Sequence, residues 1–434
     1  MTKPRILLIT YYWPPAGGAG VQRWLTMSGY LAEDFEISVF CPDDAEYPIF
    51  DESLQALVHP NIQTIRTKIF EPQSLLKKWG LAQEAAKGNM SSSEKSGKMH
   101  QLAIWVRANI FIPDARMFWI KPAIKKLRQL LEKQAYDVVI STGPPHSTHL
   151  IALGVKKHFP DLKWVADWRD PWTDIDYFDS LPLTKTSLAK HEQLESQVLK
   201  HADALVSVSP SWAADMQRKS GREVEVIYNG YDAKHFEHVK DVELKKFTLL
   251  YMGSLNDDRN RVLLWQTLEE LLTENEDFSK NFELKLVGNI APITRKQIES
   301  LPNLSKKTLF QNYVPHEKVP TQLREAAMLL LLINDTSNAK GIIPAKVFEY
   351  MAANRPILSL GNRDSDIHTL MQKTGSGEVF EDTHMPEVKA YILKNFTDFL
   401  QGKLKAGNQL TLQNFTREAA AQQYAKLINR LVTA

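Results

Sequence analysis

The chain has 434 residues, 43% of them hydrophobic and 24% charged, with a formal net charge of +2. That balance belongs to a soluble globular protein too long for one core, so two α/β domains of about 200 residues each are expected. Its one cysteine, Cys41, excludes an internal disulfide framework, fits a reducing compartment and reads as a small buried residue at a strand end.

The opening MTKPRILLITYYWPP has too short an apolar run for a signal sequence and no small-residue cleavage site, so it reads as a first strand. No run of 18 or more mostly apolar residues follows anywhere, which leaves nothing to span a membrane. Pro14 and Pro15 stop the strand. Gly17, Gly18 and Gly20 then let backbone approach a ligand before a helix bearing Val21, Trp24, Leu25 and Leu31 at helical spacing. The glycines lack the G-x-G-x-x-G spacing of dinucleotide sites, and on their own they equally suit a tight strand-to-helix turn.

Further strands are predicted at FEISVF, NIQTI, DVVIST, KWVAD and ALVSVS, alternating with helical patterns as in βαβ units. Between Phe70 and Leu130 stand eleven basic residues, Lys77, Lys78, Lys87, Lys95, Lys98, Arg107, Arg116, Lys121, Lys125, Lys126 and Arg128, against four acidic ones. Trp79, Trp105, Phe111, Phe118 and Trp119 share that window, and Ile104 to Ile112 is unusually apolar for a surface. One reading is a peripheral docking face for an anionic membrane. The other packs the aromatics on the first sheet and leaves the lysines as solvated charges. Lys87 to Lys98 has no apolar face and reads as a loop.

In STGPPHSTH, at the carboxyl end of DVVIST, His146 is placed to hydrogen-bond a ligand, although loop histidines also serve packing. His149 reads as helical and structural. Arg169 and Asp170 follow the next strand in DWRDPW. A hinge is expected near Val208 and Ser209, giving domains 1–208 and 209–415, with a last helix at 416–434 that no strand follows.

The second half predicts strands FTLLYMG, ELKLVG, TLFQNYV, MLLLLI and PILSL. Gly253 permits a close turn after the first of them, and Arg259 and Arg261 follow within reach of a ligand or as solvated charges. Beyond MLLLLI and a polar loop, Pro344 suits the first turn of a helix with Val347, Phe348, Tyr350 and Met351 as its apolar face. Lys346 puts a cation in that turn, where an anion is the natural partner. Glu349, one turn on, is placed to accept hydrogen bonds from sugar hydroxyls. No Cys cluster, His-Glu-x-x-His or compact Asp-x-Asp before a cleft marks a metal site, and Asp257-Asp258 is adjacent rather than spaced. No G-x-S-x-G elbow marks a hydrolase. Neither a metal nor a cofactor is expected, and no nucleic-acid partner.

The segment Gly341 to Leu358 resembles the nucleotide-sugar site of family-4 glycosyltransferases, enzymes of the GT-B fold. In that family a Glu, seven intervening residues and a second Glu open the corresponding helix. The second matches Glu349, which the resemblance assigns to the nucleotide ribose, and the first falls on Gly341. SLNDDRNR after FTLLYMG is similar to the family's diphosphate loop, with Arg259 at its Lys position and Ser254 replacing its Arg. The proline-diglycine loop, DWRDPW near the acceptor side, VIYNGYD after the first strand of the second domain, and YVPHEKV beside the base carry further likeness, as does the terminal helix.

The resemblance implies two Rossmann-like doubly wound domains facing a central cleft, with the terminal helix crossing back to the first domain. It implies transfer of a sugar from a nucleotide diphosphate sugar to an acceptor, without metal and with retention of anomeric configuration. Closure of the domains would exclude water from that reaction. Glu349, Arg259, Lys346, Gly253, Gly17 and Gly18 would bind the nucleotide and diphosphate, His146 would be catalytic, and Arg169 and Asp170 would face the acceptor. With the basic aromatic window, this gives a cytoplasmic enzyme, peripheral on the inner leaflet, acting on a lipid-linked acceptor or growing surface glycan of the cell envelope. A non-hydrolysing sugar-nucleotide epimerase shares the fold, and an inactive GT-B scaffold is suggested by Gly341 and Ser254.

Overall fold

Both sets of predicted strands form all-parallel sheets. A computed structural model describes residues 3–71, 98–175, 178–239, 242–312, 314–334, 336, 338–404 and 406–433. The expected loop at Lys87 to Lys98, apart from its last residue, lies outside them, as do Lys77, Lys78, Trp79 and Tyr313.

The first compact unit comprises Met1–Asn229 and Arg417–Ala434. Its strands are β1 (Arg5–Ile9), β2 (Glu36–Asp43), β3 (Gln63–Lys68), β4 (Val138–Gly143), β5 (Lys163–Trp168), β6 (Ala204–Ser207) and β7 (Glu225–Val226), in the order β3-β2-β1-β4-β5-β6-β7. Helices cover both faces, so the central strands are apolar without alternation. Ile6 and Leu8 of β1 pack in one core with Trp24, Leu25 and Tyr424, while Leu7 and Ile9 join Trp119 and Ile151 in the other. The helix Arg417–Thr433 lies along the helix Ala19–Leu31, where the rings of Trp24 and Tyr424 meet edge to face at 4.9 Å.

The unit boundary differs from the sequence expectation. The helix Pro210–Ser220 and β7 stay with the first unit because β7 pairs with β6, so the division falls after Asn229 rather than at Val208. Two-residue β7 is too short to leave a pattern in the sequence. Asn229-Gly230 therefore follows the last strand of the first sheet, not the first strand of the second. Gly230 has φ 66, as an Asn-Gly turn requires. Trp119, for which the sequence offered either a docking face or packing on the first sheet, does the second: it is fully buried and stacks on Phe40 at 5.9 Å.

The second unit, Gly230–Thr416, holds β8 (Phe247–Met252), β9 (Phe282–Val287), β10 (Thr308–Gln311), β11 (Met328–Leu332), β12 (Ile357–Leu360) and β13 (Gly377–Phe380), ordered β10-β9-β8-β11-β12-β13. β13 also escaped the sequence reading, since its GEVF is half non-apolar and four residues long. In each sheet the order reverses beside the first strand, between β1 and β4 and between β8 and β11. In doubly wound sheets ligands bind outside such reversals, at the carboxyl ends of the strands. Among the described residues no helix is long and apolar enough to cross a membrane.

Candidate functional site

In the second unit the carboxyl end of β8 is built around one lysine. The helix Lys346–Ala352 begins beside it, and the Lys346 ammonium donates to the Met252 carbonyl oxygen at 3.0 Å. That ammonium also sits 4.3 Å from the centre of the Tyr251 ring, a cation–π distance. Met252 N–H donates to the Tyr350 hydroxyl at 3.0 Å, which fixes the helix to the strand end from the other side. Gly253 has φ 117, and a Cβ there would stand 3.3 Å from the Lys346 nitrogen. The left-handed conformation is what calls for glycine here.

Arg259 closes a single 3-10 turn, Asp257–Arg259, and its Nε donates to Asn334 Oδ1 just beyond β11. The loops after β8 and β11 are thereby tied together across the switch point. Burial and the nearby Arg259 guanidinium bring the Lys346 pKa down to about 7. Among the described residues neither side chain has a salt bridge, an arrangement that suits an anionic ligand. Arg261 does not share it. That side chain is buried, pairs with Asp382 at 3.1 Å and donates to the Ile333 carbonyl. Glu349 lies one turn after Lys346 and is partly buried. The helix has seven residues, so Lys346 rather than a long helix dipole supplies the positive charge. Gly341 ends the 3-10 turn Ala339–Gly341.

In the first unit the loops after β1 and β4 are joined by one guanidinium. Arg169 donates to the Gly20 carbonyl at 2.7 Å and to the Pro144 carbonyl. It thus links the Gly17-Gly18 loop to the loop carrying His146, while Asp170 acts on it electrostatically. Gly18 caps the helix Ala19–Leu31 with φ 83, and Gly17 donates its N–H to the Ile49 carbonyl at 2.8 Å.

His146 precedes the helix Ser147–His158, whose first N–H is taken by Asp114 Oδ2 at 2.9 Å. Its ring lies parallel to Trp172 at 4.8 Å, and the His149 ring stacks on Trp168 at the same distance. Burial holds His146 well below the ordinary histidine range and His149 at about 3, so both are neutral. His149 Nδ1 is 2.8 Å from Ser141 Oγ, which itself accepts from Trp164 Nε1. His149 is thus tied to the sheet through Nδ1, while His149 Nε2 and His146 Nδ1 are both buried without a hydrogen-bond partner.

Sequence reasoning missed the polar hub of this unit. Asp167, fully buried, accepts from Arg23 (3.1 Å), Trp24 (2.7 Å), Thr142 (2.7 Å) and Tyr424 (2.6 Å). Arg23 continues to the carbonyls of Ile227 and Tyr228. Only the pairing of two distant helices brings these residues together, so no local signal marks them. Among the described residues no group of three or more His, Cys, Asp or Glu side chains is placed to hold a metal.

Residues 17–230 match the family described as "Glycosyl transferase 4-like domain". No curated protein sequence matches the chain. Among solved structures it is similar to sucrose-phosphate synthase from Thermosynechococcus elongatus, at 15% identity and TM-score 0.66 over 99% of this chain and 100% of that one. It is also similar to Anabaena HepE in complex with UDP-glucose, at 14% identity and TM-score 0.62 over 98% and 99%. S. aureus TarM, in a complex that includes UDP, aligns at 10% identity and TM-score 0.61 over 98% and 100%. At such identities the likeness is one of fold.

Proposed function

This chain is a family-4 glycosyltransferase of the GT-B fold, and we propose that it moves a sugar from a nucleoside diphosphate sugar to a glycan or lipid-linked acceptor. The observation that carries the donor half is the meeting of Lys346 and Arg259 at the carboxyl end of β8, beside a glycine that leaves backbone accessible. When the sugar leaves, negative charge grows on the β-phosphate oxygen. Cations already fixed in place stabilise that charge without reorganising, and each such group contributes about 3 kcal/mol in comparable sites. Glu349 is suited to the nucleotide's ribose hydroxyls. His146, neutral and with one ring nitrogen unpartnered, is suited to a sugar hydroxyl.

Retention of configuration and independence from metal belong to the same proposal, the latter because Lys346 and Arg259 supply the charge a divalent ion would bring. So does peripheral docking on an anionic leaflet. Of the window proposed for docking, Phe70, Trp105, Ile110 and Phe118 are exposed, and so are Lys121, Lys125 and Lys126 on the helix Met117–Leu131. Arg116 is engaged with Glu71 at 3.3 Å and does not contribute.

The test is incubation with a panel of radiolabelled nucleotide sugars, with and without excess chelator. Transfer or slow donor hydrolysis that survives chelation is expected. Interconversion of the nucleotide sugars would instead identify an epimerase, and inertness toward every donor a scaffold.

A further inference from the structure

The Gly17 loop has a second face that the donor chemistry does not use. Residues 49–51 run antiparallel beside residues 15–17. Gly17 N–H donates to the Ile49 carbonyl and Asp51 N–H to the Pro15 carbonyl, both at 2.8 Å, with Ala16 and Phe50 bridged between them. A Cβ on Gly17 would stand 2.8 Å from Ile49 Cγ2, so the ribbon closes only on glycine. It walls a cavity of about 500 Å³ at the carboxyl end of β2, lined by Asp43, Asp44, Tyr47, Phe50, Gln55 and Arg66 among others. That volume lies within the range of small-molecule sites, about 300–1,000 Å³.

Phe50 is 62% exposed, although backbone bonds hold the residues on both sides of it. Its ring meets that of buried Tyr47 at 5.5 Å, and the Tyr47 hydroxyl donates to the Tyr11 carbonyl at 3.3 Å. The result is a rigid, open aromatic face. Beside it Asp43 and Asp44 form no salt bridge among the described residues, and the lining includes a third carboxylate, Glu46. Arg66, the one cation of the lining, is taken by the carbonyls of Pro14 and Pro42. Sugar rings present an apolar C–H face that stacks on an aromatic ring and hydroxyls that donate to carboxylates. Three carboxylates outnumber the single guanidinium of Arg66, so anionic groups meet net repulsion in such a cavity.

We propose that this cavity is an acceptor subsite for non-acidic glycans, one that turns away uronic and phosphorylated sugars. The word acceptor rests on the transferase reading; the binding chemistry does not. The test applies labelled full-length protein to an array of neutral, N-acetylated, amino and uronic oligosaccharides, and separately measures nucleoside diphosphate affinity by calorimetry. Non-acidic glycans are expected to be retained, with the signal reduced about tenfold in Phe50→Ala. The Asp43→Asn, Asp44→Asn variant is expected to retain uronic glycans that the parent refuses. Nucleotide affinity is expected to be equal in all three. Retention of no glycan, preference for acidic ones, or equal retention by Phe50→Ala would overturn the subsite. Glycan retention without nucleotide binding would instead leave the subsite standing and remove the donor reading.

Discussion

The Lys346 ammonium donates to the Met252 carbonyl oxygen at 3.0 Å, in the company of a second cation, Arg259. A lysine so placed is held at about pH 7 by burial first and Arg259 second, and a bound anion would reverse both effects. Diphosphate binding should therefore take up a proton at pH values above about 7, and affinity should fall as the pH rises through that value. Below about pH 6 the uptake should vanish, because the free lysine is already charged. Calorimetry in buffers of different ionisation enthalpy measures this directly. Lys346→Met should abolish the uptake. The same variant should be the more stable at pH 7, since the unfolded lysine titrates near 10.5 and binds more protons than the folded one. That gap should close toward pH 10.

Glu349→Ala and Arg259→Ala should each weaken nucleoside diphosphate binding by about 1.5–3 kcal/mol, the range for hydrogen bonds to charged groups. Neither side chain is part of the core, so far-ultraviolet dichroism and Tm should stay near wild type. Unchanged affinity in both variants would remove the donor site from this end of β8.

How far the sequence carried this picture depended on whether a feature was local. Apolar runs such as MLLLLI announce β11 because a parallel strand covered on both faces has no polar alternation to confuse it. Gly253, Lys346 and Glu349 were legible because strand-end glycines and first-turn charges are local signals. The nature of Arg261 was not, because its partner Asp382 lies far along the chain. Trp119 stayed open between surface and core for a similar reason. Its neighbours Phe118 and Lys121 face solvent, but helical spacing turns Trp119 itself onto Phe40. Asp167 reads as one acid of DWRDPW until the terminal helix brings Tyr424 to it.

That hub makes a prediction about stability. Asp167→Asn leaves the Arg23 guanidinium buried without its counter-charge, which should cost about 3–5 kcal/mol. Tyr424→Phe removes two hydrogen bonds to charged groups, the one donated to Asp167 and the longer one accepted from Arg23, and should cost at least about 1.5–3 kcal/mol. Urea unfolding with unchanged m-values would check both. A cost under about 0.5 kcal/mol for Asp167→Asn would show that the ion pair does not hold the terminal helix in place.

The stacked imidazoles predict the acid limb of stability. His146 and His149 are held neutral by burial, whereas both titrate near 6.5 once unfolded. The unfolded chain then binds more protons below that value, so stability should be full above about pH 6.5 and decline as the pH falls. Differential scanning calorimetry from pH 7.5 to about 4.5 reads the slope. His149→Gln, which keeps a polar group near Ser141, should flatten it, and an equal slope in that variant would deny His149 its part.

Membrane docking gives the last prediction. Phe118 is exposed at the start of the helix Met117–Leu131, and Lys121, Lys125 and Lys126 are exposed farther along it. Exposed aromatics favour the headgroup region, and each basic residue near an anionic leaflet contributes about 1 kcal/mol. Reversing all three lysines to glutamate should therefore cost about 3 kcal/mol or more, enough to abolish flotation with anionic vesicles. Wild-type flotation should weaken with salt, because attraction across the leaflet is screened within about 8 Å at physiological ionic strength. Neutral vesicles should retain little of either protein. Equal flotation with neutral and anionic vesicles, or wild-type flotation by the reversed variant, would return these lysines to the role of solvated charges.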